Sequence, residues 1–131
     1  MASIFSRIVA GEIPCYKIAE SDEFFAFLDI NPVQKGHTLV IPKQEIDYFF
    51  DINDEMLQRM IIFAKNVARG LKSAIPCNRI ALSVVGLEVP HAHIHLVPIN
   101  HIFDVSFERP RVKLSDAEFE ALAADIRNHL T

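Results

Sequence analysis

Apolar residues recur along this chain with two periods, and the switches between them mark out its elements. Residues 24–28 form a short apolar run, Phe24-Phe25-Ala26-Phe27-Leu28, which predicts a strand. It stops at Asp29-Ile30-Asn31-Pro32, where Asn-Pro favours a turn. Gly36 releases the chain into a second predicted strand over 37–41, ended by Pro42. Leu57, Met60, Ile61, Ala64, Ala68 and Leu71 then follow i, i+3, i+4, i+7 spacing, which predicts a helix with one apolar stripe. Asn53 is its expected N-cap, Asp54 and Glu55 complement the helix dipole, and Ile52 and Leu57 occupy hydrophobic-staple positions. Ile75-Pro76 should close it. A third strand is expected over 79–85, a tight connection over 86–90 and a fourth strand over 91–97. Ser115 and Glu118 form a capping-box pair with Leu114 and Phe119 as its staple. The stripe Phe119, Leu122, Ala123, Ile126 and Leu130 predicts a last helix. Strands joined by turns, with helices between and after them, predict an α+β domain on an antiparallel sheet.

Composition narrows the function classes. Half of the 131 residues are hydrophobic, 23% are charged and the formal net charge is -4, as expected for one globular domain with a real core. Lys and Arg are scattered, so no basic stripe for a DNA or RNA backbone is expected. A small anion remains possible, because backbone N–H groups and imidazoles bind phosphate without a positive surface. Cys15 and Cys77 form no Cys-x-x-Cys pair, and two unpaired thiols in a reducing compartment are expected. The N-terminus lacks the pattern of a secretory signal, and no apolar run reaches the roughly 18 residues of a membrane span. A cytoplasmic protein without membrane contact is expected.

The candidate chemistry is His91-Ala92-His93-Ile94-His95. Side chains alternate along a strand, so the three imidazoles share one face and Ala92, Ile94 and Leu96 the other, with successive rings roughly 6–7 Å apart. Such a triplet can satisfy hydrogen bonds only, bind zinc through neutral imidazoles, or supply a nucleophile with an orienter and a proton donor. Spacing does not separate the last two.

Four linked segments do. IFSRIVAGEIP, FAFLDINP, GHTLVIPK and HAHIHLVP follow one another in an order and at intervals that resemble the histidine-triad (HIT) family, closest in pattern to its nucleoside phosphoramidase-like branch. The resemblance covers about residues 3–100 and fades in a C-terminal extension with a helix near 115–130. It implies a HIT-like antiparallel sheet with a long central helix, and a purine nucleotide site that needs no cofactor. Phe5, Ile8, Phe27 and Ile30 match positions that sandwich the base, although core packing would use the same residue types. Asp29 matches the carboxylate that holds the ribose hydroxyls, and is equally suited to the turn before Asn-Pro. His37 matches an auxiliary histidine. His93 matches a nucleophile that attacks the α-phosphorus to form a nucleotidyl-histidine, its other ring nitrogen held by a backbone carbonyl. His95 is the candidate donor to the leaving group, His91 a brace, and backbone N–H groups near Glu88 and Val89 candidate contacts to phosphate.

The chain also departs from the family. Ser83 stands where Asn or Gln commonly contacts the nucleotide, and the stretch from Ser83 to His91 is about three residues short. Val97-Pro98-Ile99 replaces a typical Pro-Arg, removing a cation. Ser3, Ser6 and Glu45 stand where some bacterial members hold zinc with Cys-x-x-Cys and a histidine, so no metal is expected. The implied function is nucleoside phosphoramidase-like hydrolysis by a homodimer. The alternatives are hydrolysis of dinucleoside polyphosphates, or a nucleotide-binding regulatory module with incidental turnover.

Overall fold

The structure is a computed structural model and describes residues 2–130. Its centre is a five-stranded antiparallel sheet in the order β1-β2-β3-β5-β4, made of β1 (Lys17–Glu20), β2 (Phe24–Leu28), β3 (Thr38–Pro42), β4 (Arg79–Ser83) and β5 (Ile94–Ile99). Three helices accompany it: α1 (Ile4–Val9), α2 (Asp54–Ala74) and α3 (Asp116–Asn128). The predicted α+β architecture is therefore the one formed.

Alternation along the strands divides the interior in two. Phe24, Ala26, Leu28, Val40, Ile94 and Leu96 face α2 and α3 in the main core. Phe25, Phe27, Leu39 and Ile41 point the other way, where Phe5 and Ile8 of α1 cover them. Both faces are thus buried, which is why β2 and β3 read as continuous apolar runs.

Helix α2 starts at its expected cap, the Asn53 side chain accepting from Met56 N–H, and ends at Ile75. Its buried face is Met56, Met60, Ala64, Val67, Gly70 and Leu71, rotated from the predicted stripe. Ile61 is 41% exposed, and Leu57 and Ala68 are half-buried. The cause is α3, which packs on α2 as well as on the sheet and widens the buried arc. At Gly70 an added Cβ would run into the Leu130 side chain, so glycine lets the two elements approach. The Ser115–Glu118 capping box of α3 forms as predicted, and Phe119, Leu122, Ala123 and Ile126 are buried.

Two elements escaped the pattern. β1 is an edge strand with a single buried residue, Ile18, and an irregular register between Lys17 and Ala19. α1 has only six residues, capped by Ser3. The strand predicted over 79–85 is also shorter than expected, and the one predicted over 91–97 begins only at Ile94 and runs to Ile99. β4 ends at Ser83 opposite His95, so the chain over 84–93 leaves the sheet instead of making a tight connection over 86–90. His91 N–H donates to Val89 O at 2.8 Å and Ala92 N–H to Ile46 O at 2.7 Å, bonds to loops in place of a strand ladder. No helix among the described residues is long and apolar enough to cross a membrane.

Candidate active site

Although His91 and His93 precede β5, the backbone stays extended enough to keep the predicted alternation. Ala92, Ile94 and Leu96 enter the main core, and His91, His93 and His95 emerge on the opposite face, all three buried. The rings of His93 and His95 lie closer than strand rise alone implies, with centroids 4.8 Å apart.

Hydrogen bonds assign a role to each ring nitrogen. His93 Nδ1 lies 2.8 Å from His91 O; a carbonyl only accepts, so Nδ1 carries the hydrogen and Nε2 is the bare nitrogen. Among the described residues Nε2 has no hydrogen-bond partner, and no buried side-chain nitrogen or oxygen lacks one. It therefore opens onto the adjoining cavity. His91 Nε2–H donates to Pro42 O at 2.8 Å, leaving Nδ1 to accept from the Ser3 hydroxyl at 2.7 Å. His37 Nδ1 accepts Val33 N–H at 3.1 Å, so its Nε2–H points at His95 Nδ1, 3.0 Å away. His95 must then carry its own hydrogen on Nε2. Burial pushes His37 down to about 4 and His95 down to about 3, with neighbouring positive charge adding to the effect. His91 is also lowered, mainly by burial. These three rings are neutral at pH 7.

A cavity of about 230 Å³ adjoins the triad, lined by Asp29, Val85, Gly86, Leu87, Glu88, His93, His95, Phe107 and Arg111. A second, of about 280 Å³, lies between His93, Val84, Val85 and the aromatic stretch Tyr48-Phe49-Phe50. Gly86, with a φ of +75°, turns the backbone between the two. Of the residues singled out from sequence, Asp29, Glu88, His93 and His95 meet at the first cavity. His37 stands behind His95, and Asp29 Oδ2 is 3.6 Å from His37 Nε2. Ser83 pairs with His95 across β4 and β5. Phe5, Ile8 and Phe27 back the triad within a buried cluster and do not line either cavity; the Phe5 and His93 ring centroids are 5.0 Å apart. Val89 packs at the edge of that cluster, and Ile30 is 71% exposed.

Phe107 and Arg111 were not legible in the sequence, because 106–112 has neither period nor motif. A turn at Ile102–Val105 brings this segment back over the site, held by buried Asp104, which accepts from Asn100 N–H and His101 N–H. Val112 N–H donates to Pro32 O, and the Phe107 ring lies 4.6 Å from the His95 ring.

The family model described as HIT domain matches residues 10–102. The chain belongs to the HIT family. It is 33% identical to the adenosine 5'-monophosphoramidase of Schizosaccharomyces pombe, over 99% of both chains. A HIT-like protein from Bartonella henselae shares the fold with a TM-score of 0.85 at 28% identity, covering 98% of this chain and 96% of that one. A zinc-bound histidine triad family protein from Mycobacterium smegmatis gives 0.82 at 28% identity, covering 98% and 93%.

In this HIT protein Ser3, Ser6, Glu45 and His91 do come together, but as hydrogen-bond partners. Ser3 N–H and the Ser6 hydroxyl donate to Glu45 Oε1 at 2.6 and 2.7 Å, and the Ser3 hydroxyl is spent on His91. Without a thiolate, and with its hydroxyls already engaged, the set does not fit structural zinc. Asp29, His37 and His95 also bring one ligand atom each within 4.8 Å of one another. A cation there would have to break the His37–His95 hydrogen bond.

Proposed function

We propose that this HIT-family hydrolase cleaves the bond between the α-phosphorus of a purine nucleotide and an amine or related leaving group through a nucleotidyl-histidine on His93. One observation carries the reading: His93 Nδ1–H is tied to His91 O while Nε2 faces the cavity. In the first step Nε2 bonds to phosphorus as the P–N bond breaks, and the amine departs after taking a proton from water. The ring becomes cationic, and its Nδ1–H bond to the carbonyl strengthens as charge develops. His95, neutral with its hydrogen on Nε2, donates to the phosphate or to the departing nitrogen. Water then attacks phosphorus, its oxygen replacing the imidazole and its proton neutralising the hydroxide left when the amine was protonated, and His93 returns to its neutral form.

The base is assigned to the region of Phe5, Ile8, Phe27 and Ile30, the ribose to Asp29, and phosphate contacts to Ser83 and the backbone at Glu88 and Val89. Because Phe5, Ile8 and Phe27 are packed under the surface, base binding on this reading needs a small opening between α1 and the sheet. Chain residues 1–131 are taken as one HIT domain, with 106–112 part of its site. A cytoplasmic location is supported by two unpaired thiols, Cys15 and Cys77. A homodimer is supported by the exposed edge strand β4 with Leu82 49% exposed, and by Ile61 and Ile62 on the outer face of α2.

The test is His93→Ala. It should keep purine nucleotide binding and lose at least about 10²–10⁴ in turnover. Mass spectrometry of the wild type during turnover should show one nucleotidyl adduct, on His93. Unchanged turnover in the variant would end the hypothesis, and tight nucleotide binding by a wild type without turnover would favour a binding module.

A further inference from the structure

The cavity beside the triad holds a charge imbalance. His37, His91 and His95 are neutral, while Asp29 and Glu88 bring carboxylates to the same space that a phosphate would enter. Among the lining residues the only permanent cation is Arg111. It comes from the segment beyond the triad strand β5, which itself brings no cation to the cavity lining.

Arg111 is half-buried and its plane is set by the backbone. Nη1 donates to Asn31 O at 2.9 Å and Nη2 to Phe107 O at 3.3 Å, with the guanidinium carbon 5.7 Å from the centre of the Phe107 ring. These carbonyls orient the group without neutralising it. Arg109 is paired with Asp104 at 3.1 Å, whereas Arg111 forms no ion pair with a carboxylate among the described residues. Its charge is felt at His95 and at His37 behind it, both of which it helps to lower. A half-buried arginine costs desolvation energy that an opposite charge would normally offset. Here the fork keeps N–H groups for an anion, and the cavity it faces contains the bare nitrogen of His93.

We propose that Arg111 is the anion contact of this site, its guanidinium binding the α-phosphoryl oxygens of the nucleotide beside His93 and His95. This rests on the nucleotide reading above and adds to it a residue outside the stretch where the family resemblance lies. Phe107 is then a positioning residue, holding Arg111 on one side and packing on His95 on the other.

Calorimetric titration of wild type, Arg111→Ala and Arg111→Lys with AMP and with adenosine, at fixed salt, tests the proposal. Adenosine shares the base and ribose but lacks the anion, so it reports structural damage alone. Arg111→Ala should weaken AMP on the order of tenfold or more while adenosine affinity stays close to wild type, and Arg111→Lys should recover part of the loss. Equal losses for the two ligands, or none for either, would overturn the role of Arg111 and leave the nucleotide reading standing. A wild type that binds neither ligand would remove both.

Discussion

His37 Nε2 stands 3.0 Å from His95 Nδ1, and the direction of that bond is dictated from outside the pair by Val33 N–H on His37 Nδ1. A backbone amide in the turn after Pro32 thus decides which nitrogen of His95 presents its hydrogen to the cavity. His37→Ala removes that constraint and leaves Val33 N–H without an acceptor. The expected result is a loss of about 1–3 kcal/mol in stability and a fall in kcat larger than the change in KM. Nitrogen-15 shifts of His95 should show the Nε2–H tautomer in the wild type and a tautomer mixture in the variant. An unchanged tautomer in His37→Ala would refute the relay.

Acid should unfold the protein through the same pair. His37 and His95 are pushed down to about 4 and about 3, below their unfolded value near 6.5. Between those limits the unfolded chain binds more protons than the folded one. The stability they contribute is therefore present above about pH 6.5 and is lost as pH falls through 4 and 3. The loss is of the order of a few kcal/mol. Denaturant midpoints from pH 7 to pH 4 should decline in the wild type and decline less steeply in His37→Ala. Parallel slopes would argue against this origin.

Activity should survive exhaustive chelation. Glu45 is held below the usual carboxylate range chiefly by Ser3 N–H and then by the Ser6 hydroxyl, so the cluster around His91 is closed by hydrogen bonds. Removing the Ser3 hydroxyl by Ser3→Ala takes away the α1 N-cap and the donor to His91, and should cost about 1–3 kcal/mol. Stoichiometric zinc, lost together with folding or turnover, would reverse this prediction.

Light scattering at micromolar concentration should give a mass twice that of the 14.8 kDa chain. At the other edge of the sheet, Arg127 of α3 reaches Lys17 O and Tyr16 stacks on Phe119, so β1 is partly covered. Among the described residues no side chain is hydrogen-bonded to the backbone of β4, which makes it the edge expected at the interface. Leu82→Lys with Ile62→Glu should shift the mass toward the monomer, and a monomeric wild type would reject the dimer outright.

By itself the sequence determined what depends on local periodicity and capping. The strands at 24–28 and near 37–41, the Asn53 and Ser115 caps, and the shared face of His91, His93 and His95 all follow from side-chain alternation or from hydrogen bonds a few residues long. Linked motifs added the family. Only the tertiary structure decided the rest, because each remaining feature is a contact between distant segments. The buried face of α2 turned from Ile61 toward Val67 once α3 packed beside it. His91 and His93 left the strand ladder, which His95 keeps, because Ser83 ended β4 opposite His95 and Ala92 N–H found Ile46 instead. Arg111 reached the site through carbonyls at Asn31 and Phe107, partners that no period or motif in 106–112 could announce. Local rules act over one or two turns of chain, whereas the charge facing His93 is set by where a return segment comes to rest.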